Sequence, residues 1–159
     1  MSRGGLPGHR ANEGTEAAAM GVCIDGAGLS IPDVVAVARG GASVSLDLDA
    51  RRRIDRASAY VDTLLRRERP VYGVTTGFGR FADIVISPDD SATLQRNLLL
   101  SHASGVGELL PNEVVRAILL LRANALACGY SGARAEVVDT LIAMLNQGVH
   151  PQVPSQGSV

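Results

Sequence analysis

The chain has no tryptophan and only three tyrosines and two phenylalanines among its 159 residues. It has two cysteines, Cys23 and Cys128, far apart and forming no C-x-x-C pair; in a chain with no secretory signal, reduced thiols are expected over a disulfide. Its three histidines, His9, His102 and His150, have no metal-ligand spacing with one another or with either cysteine, which argues against a metal site built from this chain. No charge excess exists: 15 basic residues face 16 acidic ones, which leaves no nucleic-acid footprint. Acids stand close to Arg51-Arg52-Arg53 and Arg66-Arg67, and both clusters read as solvated helix faces. The first twenty residues lack the apolar stretch of a signal peptide, and no run reaches the length of a membrane span. A cytoplasmic location is the expectation.

What is present is a 46% hydrophobic composition, ample for the core of one domain. Residues 1–20, rich in Gly, Glu and Ala, read as a flexible tail, with Met20 an alternative start, and ordered structure is expected over 21–159. Val22 to Asp25 is a strand candidate closed by Gly26-Ala27-Gly28. Ser30-Ile31-Pro32-Asp33 opens a helix that Gly40-Gly41 ends. Val44-Ser45-Leu46 is a second short strand, and Asp47 or Asp49 caps a helix to about Glu68, where Pro70 stops it.

Ser87-Pro88-Asp89-Asp90 starts a helix with Leu94, Leu98 and His102 on one face, terminated by Gly105 and Gly107. Leu110-Pro111-Asn112-Glu113 starts another, running to Cys128 and apolar on nearly every side except for Arg122 and Asn124. Such a helix is normally surrounded by protein, and this chain supplies few long helices to surround it. A last helix is expected from Ser131 to about Gln147.

Between the second and third helices lies Tyr72-Gly73-Val74-Thr75-Thr76-Gly77-Phe78-Gly79-Arg80-Phe81, which holds three of the five aromatic residues. Its glycine spacing fits neither a P-loop nor a dinucleotide fingerprint. By residue type it is either a tight surface turn or a backbone shaped to approach a ligand, and the two threonines favour the second. Tyr72 reads as a core tyrosine with a satisfied hydroxyl or as a base; a base would need positive charge or donors around it. His102 is a satisfied helix-face histidine or a site residue. Arg122 and Asn124, inside their apolar helix, read as structural residues that each need a partner.

The order of these segments carries more than any one of them. The loop Tyr72 to Gly79, then Gln95-Arg96-Asn97-Leu98, Ser101-His102-Ala103-Ser104-Gly105, Arg122-Ala123-Asn124-Ala125-Leu126, Gly129-Tyr130-Ser131-Gly132 and the closing Pro151 to Val159 together resemble the aromatic amino-acid ammonia-lyase family. The resemblance covers about Val22 to Val159 and is strongest to the N-terminal portion of its histidine-specific members. It implies a mainly α fold, the first part of the ammonia-lyase helical fold with two short strands near the start. In the family, Gly-Ser-Val leads into an Ala-Ser-Gly tripeptide that cyclises to methylidene-imidazolone (MIO). This chain ends at Val159, before that position.

The resemblance further implies that Tyr72 is the base that removes a β proton from the amino acid, with Gly79 and Phe78 lying against substrate and Phe81 helping to exclude water. Ser101-His102 is the pair typical of histidine enzymes, where His102 faces the imidazole. The implied reaction is deamination of L-histidine to trans-urocanate and ammonia, within a homotetramer whose sites combine several subunits, and with no metal. The implied alternatives are a tyrosine or phenylalanine ammonia-lyase or aminomutase, and an inactive accessory relic. The chain as it stands is expected to be inactive without the remainder of the lyase.

Overall fold

The computed structural model describes residues 21–66, 70–77, 79, 85–86 and 88–157. The expected tail, Phe78, Phe81 and Ser87 lie outside the described residues. Order begins with β1 (Val22–Ile24), α1 (Ile31–Ala38) and β2 (Val44–Leu46), a compact β-α-β unit in which the strands pair in parallel, Val22 opposite Val44 and Ile24 opposite Leu46. Parallel strands require a crossover, and α1 supplies it. Val22 and Ile24 are buried while Cys23 between them is exposed, the alternation of a strand with one face on the core.

Local chemistry sets most helix starts. Ser30 and Asp33 form a reciprocal capping box at α1, with Pro32 in its first turn. At α2 (Leu48–Leu65) the Asp47 carboxylate accepts from the Asp49 and Ala50 backbone N–H groups at 2.9 Å each. Next come α3 (Pro88–His102), β3 (Val106–Leu109), α4 (Asn112–Ala127), α5 (Ala135–Asn146) and β4 (Pro154–Gln156).

α2 stops at Leu65, earlier than the sequence pattern suggests. α5 begins four residues later than expected, because Gly129 and Gly132 take φ of +78° and +71° and Gly132 packs against the Val61 side chain. A left-handed turn cannot belong to a right-handed helix. β3 and β4, absent from the sequence reading, pair antiparallel, Val106 opposite Gln156 and Leu109 opposite Pro154, with an irregular register between.

The core is aliphatic: Ile24, Val37, Val44, Ile54, Val115, Leu120, Val138 and Leu145 are buried together. α4 is its centre, packed against α1, α5, α2 and β1. Only part of this helix is enclosed, however, and Val114, Ile118 and Leu121 face outward.

Polar groups stitch these layers. Asn124 accepts a hydrogen bond from the Gly26 N–H at 2.9 Å, so its structural role stands, whereas Arg122 lies exposed rather than buried. Asn146 pairs with both Val44 backbone groups, at 2.7 and 2.9 Å, filling the free edge of β2 as another strand would. Arg53, expected on a solvated face, is half-buried and donates to the Asp25 and Ala127 carbonyls at 2.5 and 3.4 Å. Its neighbours Arg51 and Arg52 pair with Asp139 and Asp49 at the surface.

Candidate functional site

The glycine segment is shaped by its threonines. The Val71 N–H donates to Thr75 Oγ1 at 2.7 Å, and the Gly73 N–H donates to Thr76 Oγ1 at 3.3 Å. Thr76 Oγ1 in turn donates to the Gly77 carbonyl at 3.1 Å, and Thr76 is the buried polar residue of the described core. The Val74 and Thr75 N–H groups both return to the Val71 carbonyl, which makes a tight turn at Tyr72-Gly73. Gly73 and Gly79 take φ of +71° and +56°, conformations that exclude most side chains. The Ile86 N–H donates to the Thr75 carbonyl, and Thr76 bridges to Val85, so the two ends of the segment are fastened together. This is a self-braced loop and not a slack turn.

Tyr72 stands on that loop at 64% exposure, so it is not a core tyrosine within this chain. Gly79 is also exposed, with open space where a Cβ would be. Phe78, expected beside them, lies outside the described residues.

Ser101 and His102 form the last turn of α3, both exposed. His102 folds back along the helix: its Nδ1 lies 2.9 Å from the Leu98 carbonyl oxygen and 3.0 Å from Ser101 Oγ. Ser101 Oγ itself donates to the same carbonyl at 2.9 Å. A histidine in the last turn is well placed for the exposed carbonyls at a helix C-terminus.

A second contact bears on this helix end. Just beyond His102, Gly105 meets the Pro154 side chain, and Gly157 meets Gly105 itself; a Cβ on Gly157 would stand 3.2 Å from the Gly105 Cα. The β3–β4 pairing therefore holds Gly157 against the stretch that follows Ser101-His102. A side chain at either glycine would force the two segments apart. The Ala-Ser-Gly tripeptide that the resemblance implies after Gly157-Ser158-Val159 is not part of this sequence. The chain does contain an Ala-Ser-Gly sequence, Ala103-Ser104-Gly105, in another place: it directly follows His102, is exposed, and opens into β3.

Two open clefts, of about 640 and 590 Å³, lie elsewhere. Both are lined by Arg53, Cys128 and Tyr130, and neither includes Tyr72, Ser101 or His102. The loop touches the second through Val74. Among the described residues no cluster of three or more His, Cys, Asp or Glu has the arrangement of a metal site. Nor is any described helix long and apolar enough to cross a membrane.

A braced glycine loop carrying a tyrosine, a Ser-His helix end, and a downstream strand pinned beside that end define the front portion of a lyase-type helical fold. The family model of aromatic amino acid lyases matches residues 29–159, and the chain belongs to that family. It is 58% identical over 134 residues to the histidine ammonia-lyase of Symbiobacterium thermophilum, a match covering 84% of this chain and 26% of that enzyme. Among solved structures it is similar to the ergothioneine-degrading enzyme ergothionase from Treponema denticola, with a TM-score of 0.83 and 37% identity over 88% of this chain and 28% of that one. It is also similar to histidine ammonia-lyase from Trypanosoma cruzi, with a TM-score of 0.79 and 37% identity over 87% and 27% of the two chains. The chain thus spans about a quarter of the length of the curated relatives it matches, which are carbon–nitrogen lyases.

Proposed function

We propose that this chain supplies the base and the side-chain recognition element of a histidine ammonia-lyase, which converts L-histidine to trans-urocanate and ammonia in the cytoplasm. The observation that supports this reading is the contact of Gly157 with Gly105, in which the segment that precedes the MIO group by resemblance lies against the stretch three residues beyond His102. The identity to histidine ammonia-lyases supports histidine as the substrate.

Loss of ammonia from an α-amino acid requires removal of a β proton that is barely acidic. A positioned base lowers that barrier by taking the proton as the bond breaks. Tyr72 takes this role, held by a loop whose glycines let the backbone lie close to substrate, with Gly79 and Phe78 assigned as further substrate contacts. The MIO group, when present, supplies the electrophile that engages the amino acid. His102, oriented by Ser101, meets the imidazole.

In this reading the exposed Tyr72 and His102 are covered by the rest of the lyase and by partner subunits of a homotetramer, which supply the remaining walls of the site. Those walls exclude water and give the local electrostatics their strength.

Turnover of L-histidine, L-tyrosine and L-phenylalanine by the complete enzyme tests this. L-Histidine should be preferred, with urocanate formed. Tyr72→Phe should lower kcat by roughly 10²–10⁴-fold while leaving KM for L-histidine nearly unchanged. Preference for tyrosine or phenylalanine, or a β-amino acid product, would replace this reading with an aromatic lyase or aminomutase; no turnover of any of them would leave the accessory reading.

A further inference from the structure

We propose that Ser101 is a positioning residue: with the Leu98 carbonyl it holds His102 as the tautomer protonated at Nδ1, so that the outward Nε2 is a hydrogen-bond acceptor. The consequence, resting on the reading of His102 as the imidazole contact, is that the site selects a substrate side chain that donates an N–H.

The argument is one of proton accounting. A carbonyl oxygen only accepts, and the Leu98 oxygen lies 2.9 Å from His102 Nδ1. If Nδ1 were bare, two lone pairs would face each other at hydrogen-bond distance, which is repulsive. With the proton on Nδ1 the same contact is a hydrogen bond. Ser101 resolves the third side of the triangle. Its hydroxyl donates to the Leu98 oxygen at 2.9 Å, which turns its own lone pairs toward Nδ1 at 3.0 Å. The Nδ1 proton is then shared between two oxygens; with the proton on Nε2 the Leu98 bond is lost, and Ser101 keeps its contact only by turning its hydroxyl from the Leu98 oxygen to Nδ1. An alanine at 101 would remove one acceptor; a threonine would keep it.

Among the described residues nothing is bonded to Nε2, and His102 is exposed, so this nitrogen faces outward with its lone pair. An acceptor there pairs with an imidazole N–H but offers nothing to the edge of an unsubstituted phenyl ring. A site built to bond a donor rejects a ligand lacking one more strongly than it would by shape alone.

Two measurements decide this. The first is the nitrogen chemical shifts of His102 in the isotope-labelled 159-residue chain at alkaline pH. Nδ1 should carry the proton, the reverse of the form a free histidine side chain favours. Ser101→Ala should shift the tautomer ratio toward Nε2–H by about fivefold, the worth of one neutral hydrogen bond, and Ser101→Thr should restore it. A dominant Nε2–H form in the parent chain, or a ratio insensitive to Ser101→Ala, overturns the proposal. The second is a comparison in the complete enzyme, where Ser101→Ala should raise KM for L-histidine about fivefold with a smaller effect on kcat. A kcat effect larger than the KM effect also overturns it. Because the tautomer is read without turnover, its failure is distinguishable from failure of the lyase assignment.

Discussion

The residues that hold this chain together are polar groups aimed at backbone. Every basic residue in the chain is an arginine, and the planar, five-donor guanidinium suits multiple carbonyls at once. Arg116 donates to the Val37 carbonyl through Nε and a terminal nitrogen, at 3.2 and 2.9 Å, and to the Leu145 carbonyl at 3.1 Å. Val37 and Leu145 lie in the last turns of α1 and α5, neither of which has a basic residue of its own. One side chain on α4 therefore caps two helices. Arg116→Met should cost about 1–2 kcal/mol, chiefly by leaving the Val37 carbonyl without its donor, while the Leu145 carbonyl keeps the Gly148 N–H. Urea unfolding should show a lower midpoint with unchanged slope, and Arg116→Lys should recover only part of the loss.

Such residues are only half legible in sequence. Asn124 stands out as a polar residue in an apolar helix, but its partner Gly26 is 98 positions away and no local pattern names it. Arg53 reads as one of three solvated arginines because the turn that brings Asp25 and Ala127 to it is tertiary.

The Ala103-Ser104-Gly105 tripeptide belongs to the same scale. Cyclisation would require Gly105 N to fold back onto the Ala103 carbonyl carbon. These residues are exposed, Gly105 leads straight into a paired strand, and Pro154 and Gly157 pack against it there, so the pairing opposes such a turn rather than compressing it. The tryptic peptide Asn97 to Arg116 should therefore appear at its unmodified mass; a loss of two waters from it would refute this.

Elements were legible where their ends carry local chemistry. Ser30 with Asp33, Asp47, and Pro88 each announce a helix, and each helix is there. β3 and β4 were not, because each is short, interrupted or flanked by glycine and proline, and made a strand only by its distant partner. Since that pairing sets Gly157 against Gly105, three residues beyond His102, this part of the candidate region was invisible for the same reason.

The caps also set the acid response. The Ser30 hydroxyl and N–H donate to the Asp33 carboxylate, and the Ala27 and Gly28 N–H groups to that of Asp25, holding both below the usual carboxylate range. A folded value below the unfolded one contributes stability that is complete above the unfolded value and is lost as pH falls through the folded value. Thermal melts taken from about pH 6 to pH 3 should show the midpoint falling at the acid end, and Asp25→Asn with Asp33→Asn should flatten that fall. Ser30→Ala should cost about 1 kcal/mol near neutral pH.

For the whole molecule, the unfinished feature is α4. Its composition predicted neighbours on all sides, and the described residues leave the face of Val114, Ile118 and Leu121 uncovered. Ile118 and Leu121, 46% and 51% exposed, lie with Val114 on the outer face. Beside them Val34, Val35, Ala38, Val114 and Ala117 line a shallow cleft of about 240 Å³ between α1 and α4. A chain spanning a quarter of its relatives' length presents here a surface of the kind that soluble monomers rarely leave bare. In isolation it should bind a hydrophobic dye such as anilinonaphthalene sulfonate and self-associate as concentration rises. Ile118→Glu with Leu121→Glu should suppress both, because two carboxylates interrupt the patch, while the circular dichroism stays helical since neither side chain is in the buried core. If dye binding and association persist undiminished in a double variant that remains helical, the sticky surface lies elsewhere on the molecule, and α4 needs no covering partner.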